Sequence, residues 1–339
     1  MTGRERVKRA LHFEGPDRVP FWGKGSVDFT PEVTISSNPH WVMPPEEELK
    51  KLVPDFKGRV RMNEWGVISG SLNDFKSGEV IRPGLLDWAD WSPDMIPDID
   101  NPERFVEAKK VLDADNEDRY HLIWFGGLYT SHLYDLRGVT EFLVDTALNK
   151  DKILEFNEAL EVKELNSLKL WKEAGAHGFL FGNDMGLQDR LLFSAKTWRE
   201  IYKPFYKRFI EAAHELGLDV WMHSCGYIWD IIPDFIEIGL DAINMDQVNL
   251  LGIDRLSAEC GGKICFYNPI DIQATLPTGD REKIRAEAKK QIEKLGSFNG
   301  GFIAKDYPQP WSIGISDEVM QMARDAFYEF GDYSKRLYK

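Results

Sequence analysis

From about residue 118 the chain alternates short apolar runs with long amphipathic stretches, and this alternation restricts its fold more than any other feature. The runs fall at 121–125, 178–181, 220–223, 242–245, 264–267 and 301–304. Between them, helical spacing of apolar residues covers about 137–148, 151–174, 195–216, 227–238, 250–260, 280–296 and 316–330. A strand whose connection to the next strand is a helix makes a parallel sheet with crossover helices. Strand-like pieces at 19–22 and 60–62 bring the count to eight. Eight parallel strands without a dinucleotide fingerprint predict a closed (β/α)8 TIM barrel. We expect one barrel domain over residues 1–339, with a decorated insertion at about 22–100. That stretch is irregular and rich in proline and tryptophan, and long loops of this kind lid a site or form an interface.

A formal charge of −14 makes nucleic acid and anionic membranes poor partners. The three cysteines, Cys225, Cys260 and Cys265, make no disulfide framework. No apolar run approaches the roughly 20 residues that span a bilayer. The first residues, Met1-Thr2-Gly3-Arg4-Glu5-Arg6, open an amphipathic helix and do not read as a signal peptide. A reducing, cytoplasmic setting is expected.

In a barrel, chemistry sits at the C-terminal ends of the strands. The run Val220-Trp221-Met222 ends in His223-Ser224-Cys225-Gly226, which puts an imidazole beside a thiol at such an end. Imidazole and thiolate are preferred zinc ligands, but a His-x-Cys pair is only half a shell. Asp306, Glu64 or Asp246 could add a carboxylate oxygen. Asp184 and Asp246 follow their strands as candidate acids, although aspartates there also serve as turn and N-cap residues. Glu64 and Trp65 follow the run at 60–62. Trp22, Trp65, Trp124, Asn183 and Tyr267 are the candidate substrate-binding residues, since several rings at strand ends would wall a pocket for an aromatic ligand.

The order of these motifs resembles the uroporphyrinogen decarboxylase superfamily. Thr2-Gly3-Arg4-Glu5-Arg6 with Pro16-Asp17-Arg18-Val19-Pro20 is similar to its opening helix and first strand. Gly182-Asn183-Asp184-Met185-Gly186 and Tyr202-Lys203-Pro204 resemble its central block. His223-Ser224-Cys225-Gly226, Asn268-Pro269-Ile270-Asp271 and Gly300-Gly301-Phe302-Ile303 follow in the family's order. The resemblance implies a (β/α)8 barrel. The family's decarboxylases hold a polycarboxylate with an arginine-rich segment after the first strand, whereas 21–28 here contains no arginine.

The other branch implied by the resemblance is corrinoid-dependent methyl transfer. Its thiol-using members bind zinc on a His-x-Cys pair and a late cysteine. His223 and Cys225 match the pair, and Asp306 and Tyr307 stand in the late position, with Cys260 and Cys265 too early. The expected function is therefore the demethylating component of an O-demethylase. It would move a methyl group from an aromatic methyl ether to the cobalt of a partner corrinoid protein. The alternatives are a zinc-dependent methyl-corrinoid:thiol methyltransferase and a decarboxylase. The expected zinc ligands are His223, Cys225 and Asp306. Without zinc, Asp184, Asp246 or Glu64 would act as a general acid, its pKa raised by apolar surroundings.

Overall fold

The computed structural model describes residues 1–72 and 78–332. Its strands are β1 (Phe21–Trp22), β2 (Arg59–Met62), β3 (Ile68–Ser71), β4 (Glu79–Arg82), β5 (Leu122–Gly126), β6 (Gly178–Gly182), β7 (Asp219–His223), β8 (Ala242–Asn244), β9 (Cys265–Asn268) and β10 (Phe302–Lys305). Seven of them form one sheet in the order β1-β10-β9-β8-β7-β6-β5, and every pairing in it is parallel. All seven lie at the apolar runs that predict strands. Helices such as Lys150–Ala174, Lys203–Glu215 and Arg281–Leu295 make the crossovers.

The closed eight-stranded barrel is corrected by this topology. The sheet curls but stays open, with β1 and β5 as its edges. The run at 60–62 forms β2, which pairs antiparallel with β3, and β3 with β4, in a separate three-stranded sheet. A hairpin wins this strand because its partner is only a few residues away and closing so short a loop costs little entropy. Asn63 fixes the turn, its Oδ1 accepting from the backbone N–H groups of Trp65 and Val67, both at 3.0 Å. Val60 and Ile68 then pack with Leu49 and Val53 in a small core of their own.

The gap between β1 and β5 is bridged by the chain that follows β1. Phe29 and Val33 make isolated parallel bridges to Tyr120 and Ile123. Thr30 donates its N–H to the Tyr120 carbonyl at 3.2 Å. Asp28 anchors the segment: its carboxylate accepts from Arg6 Nη1 at 2.6 Å and Arg18 Nη2 at 2.8 Å.

Strand parity sorts the core into two layers. Phe179, Phe181, Val220, Met222, Ile243, Phe266, Phe302 and Ala304 join the helices in the larger apolar cluster. The intervening residues Leu122, Leu180, Trp221, Ala242, Cys265, Tyr267 and Ile303 pack with Val7, Ala10 and Leu11 of the N-terminal helix Gly3–Leu11. That second set is the inside of the curl, plugged at one end by the helix. The same parity turns Trp124, His223, Asn244 and Lys305 inward at the other end. Among the described residues no helix is long and apolar enough to cross a membrane.

Candidate active site

His223 closes β7 with Asn244 as its register partner on β8. Its Nδ1 lies 2.7 Å from Asn244 Oδ1. The Asn244 amide is oriented by its other contacts: Nδ2 donates to the Tyr267 carbonyl at 2.7 Å and to Asp246 Oδ1 at 3.0 Å. Oδ1 is therefore the acceptor, Nδ1 carries the proton, and Nε2 is left facing the strand-end loops. There it meets Asp184 Oδ1 at 3.3 Å and Cys225 Sγ at 3.5 Å. Asp184 Oδ1 also accepts the Cys225 backbone N–H at 2.8 Å. One ligand atom from each of Asp184, His223 and Cys225 lies within 4.8 Å of the other two, a potential metal-binding cluster.

Two loops must cross closely for this to happen. Gly226 has φ of +80°, and a Cβ there would strike the backbone of Gly186. Glycine removes that clash and lets the Cys225 loop lie against the Asp184 loop. The Tyr227 N–H then reaches the Leu187 carbonyl at 2.6 Å.

A second polar group faces the same space. Lys305, 5% exposed at the end of β10, donates to Asn244 Oδ1 at 2.9 Å and to Asp246 Oδ1 at 3.2 Å. Its ammonium also lies 5.2 Å from the centroid of the Tyr267 ring. Burial works against charge on Asp246, yet Lys305 and His223 outweigh it and hold the carboxyl below its ordinary value. Burial likewise opposes an ionised Asp184, and His223 with the Cys225 N–H outweighs it. For His223, burial disfavours the cation, but Asp184, Cys225 and Asp246 together raise it well above the ordinary histidine value. The Cys225 thiol is pushed up by burial more than His223 pulls it down. The direction for Asp184 and Asp246 is thus the opposite of the one expected from apolar surroundings. Apolar surroundings alone would raise them, but each has a cationic neighbour that reverses the sign.

His223, Asn244, Asp246 and Lys305 border a cavity of about 350 Å³. Trp22, Trp124, Leu180 and Tyr267 form its apolar walls, and His223, Asp246 and Lys305 its polar end. Trp22 and Tyr267 meet edge to face, with centroids 6.5 Å apart. Glu32 also reaches the cavity, and burial raises its carboxyl against the pull of Lys305. A second cavity, of about 480 Å³, shares Trp124 and His223 with the first and contains Asp184, Phe142 and Phe193.

Several predicted residues are not brought here. Glu64 is held by Arg104 through contacts of 2.6 and 3.0 Å. Trp65 stacks on His132 at 4.4 Å and packs against Phe156. Both left the site because β2 joined the hairpin. Asp306, expected as a metal ligand, pairs with Arg324 at 2.9 and 3.1 Å and accepts the Lys24 N–H at 3.0 Å. It follows Lys305 by one residue and so points to the other side of the strand's path. Asn183 is buried behind the cluster, donating its side-chain amide to Tyr206 and its N–H to the His223 carbonyl at 2.9 Å. Sequence reasoning missed Asn244 and did not assign a role to Lys305. Inward parity at the ends of β8 and β10 was the signal that could have found both.

Residues 137–305 match the family described as Uroporphyrinogen decarboxylase (URO-D). No curated protein sequence matches the chain. Among solved structures, a methyltransferase from Methanosarcina mazei aligns with a TM-score of 0.68 at 16% identity, covering 97% of this chain and 99% of that one. A B12-independent methionine synthase from Shewanella sp. W3-18-1 aligns with a TM-score of 0.47 at 11% identity, covering 69% of this chain and 67% of that one. The first likeness is one of fold. The span matched to that family takes in β6 to β10 and the whole Asp184–His223–Cys225 cluster, so the likeness covers the half of the chain that carries the candidate site.

Proposed function

We propose that the protein is a corrinoid-dependent methyltransferase, the demethylating component of an O-demethylase system. Its substrate is an aromatic methyl ether, and the methyl group passes to the cobalt of a separate corrinoid protein. The observation that carries this reading is a ring-walled cavity whose polar end is His223, the central member of the metal-binding cluster.

The donor set fits zinc. One imidazole nitrogen, one thiol sulfur and one carboxylate oxygen are ordinary zinc ligands, and three protein ligands leave a position open for substrate. The Asn244 contact to His223 Nδ1 is the kind of partner that orients a zinc-bound histidine. Zinc on Asp184, His223 and Cys225 would supply Lewis acidity toward the ether oxygen.

The chain's own residues do the rest. Trp22, Trp124 and Tyr267 hold the arene by apolar contact and edge interactions. When the C–O bond breaks, its electron pair stays on oxygen, and a phenoxide leaves more easily if it accepts a hydrogen bond as it forms. Lys305 has three N–H donors and uses two on Asn244 and Asp246, so the third is available to that oxygen. Asp246 holds the Lys305 ammonium in place, and Asp184 keeps His223 oriented. The apolar walls exclude water from the methyl carbon.

The test mixes purified protein with a reduced corrinoid protein and a panel of methoxyarenes. Phenol release is followed by chromatography and the corrinoid by its absorbance. Release that needs both the corrinoid protein and the methoxy group is the expected result. Release without the corrinoid protein, or turnover only with thiols, would overturn the reading.

A further inference from the structure

A second cluster of ligand-type side chains lies at the opposite end of the same strands. Asp219 opens β7, and Asp241 directly precedes β8. Four residues of strand, at about 3.3 Å each, put Asp219 roughly 13 Å from His223. His12, the residue that caps the C-terminal end of the helix Gly3–Leu11, brings Nε2 to 3.1 Å from Asp219 Oδ1. His214, in the last turn of the helix Lys203–Glu215, brings Nε2 to 2.8 Å from Asp241 Oδ2. Ligand atoms of His12, Asp219 and Asp241 all lie within 4.8 Å of one another, and His214 adjoins them through Asp241.

Three features suit this cluster to a cation. The two carboxylates converge with His12, and Lys8 pairs at 3.8 Å with Oδ2 of Asp219, the oxygen that does not face His12. Each carboxylate is oriented from behind: Tyr120 donates its hydroxyl to Asp219 Oδ2 at 2.6 Å, and the Val220 N–H donates to Asp241 Oδ2 at 2.7 Å. Such partners fix metal-ligating carboxylates. The aspartates are largely buried, while both histidine side chains are about 40% exposed, so an ion can enter from solvent.

The geometry points to a second transition-metal site, built from His12, His214, Asp219 and Asp241 and suited to zinc. His12, Asp219 and Asp241 form the close set, His214 stands beside it on Asp241, and the two carboxylates give a charge of −2 that a dication neutralises. The ion takes the place of the proton that each Nε2 shares with its carboxylate. It ties the N-terminal helix and the helix Lys203–Glu215 to the starts of β7 and β8. This is the end of the sheet away from the cavity, where such a tie acts on stability. The site is independent of the proposed activity.

The test is zinc stoichiometry of chelator-stripped protein, by equilibrium dialysis and elemental analysis. Wild type should bind two equivalents. His223→Ala/Cys225→Ser should retain one, with a cobalt-substituted spectrum lacking the thiolate charge-transfer band. His12→Gln/His214→Gln should also retain one, this time with that band. Each single glutamine variant should weaken its own site at least tenfold, and zinc should raise the melting temperature of the His223→Ala/Cys225→Ser protein. Circular dichroism checks that each variant is folded. Because His12 and His214 are half-exposed, glutamine there leaves the core untouched. The proposal fails if His223→Ala/Cys225→Ser binds no zinc where wild type is saturated, or if His12→Gln/His214→Gln binds as much as wild type.

Discussion

Asn244 accepts the Nδ1 proton of His223 at 2.7 Å and so turns the opposite ring nitrogen toward Asp184 and Cys225. Neither residue could be assigned this relationship alone. It depends on the two strands being in register at their last residues.

Replacing Asn244 by alanine should therefore weaken zinc at the Asp184–His223–Cys225 cluster without removing a ligand. Loss of an orienting partner of this kind costs about 10–100-fold in metal affinity. Competition with a zinc-binding dye on the folded variant measures it. Affinity equal to wild type would show that the imidazole does not need Asn244.

Lys305 is the buried ammonium beside Asp246, and removing it leaves a buried carboxylate with only the Asn244 amide and the more distant His223 to offset its charge. Lys305→Met should destabilise the protein by about 3–5 kcal/mol in urea unfolding. Lys305→Met/Asp246→Asn should recover a large part of that loss, because no charge is then stranded. A single variant as stable as wild type would contradict the pairing.

Asp115 gives a pH signature away from both clusters. Burial pushes its carboxyl up, but backbone and side-chain hydrogen bonds from Arg119, and one from His121, outweigh this and lower it from 3.8 to about 2. A group depressed in the folded state stabilises it above the unfolded value and loses that contribution as pH falls through the folded value. Allowing for solvent around Arg119, the contribution is about 1–2 kcal/mol at neutral pH. Asp115→Asn should be less stable than wild type by that amount at pH 7. The difference should shrink below pH 4 and vanish only below pH 2. A gap that stays constant with pH would assign the loss to packing instead.

The positions of the seven parallel strands were legible in the sequence, because an apolar run of four or five residues between amphipathic helices is a local pattern. So were His223 and Cys225, whose place at a strand end needs only the end of the run. Trp22, Trp124 and Tyr267 were legible for the same reason, and each lines the cavity. The tertiary structure decided what depends on distant partners. The run at 60–62 has the right pattern for an eighth strand, and only its pairing with β3 shows that it is not one. Glu64 and Trp65 left the site with it. Asp184 meets His223 and Cys225 because two loops cross at Gly186 and Gly226, which are far apart in the chain. Asp306 met Arg324 instead. The sign of the carboxyl shifts also lay beyond the sequence. Burial can be read from apolar neighbours along a strand, but the charge that reverses its effect, Lys305 for Asp246, comes from a strand almost sixty residues away.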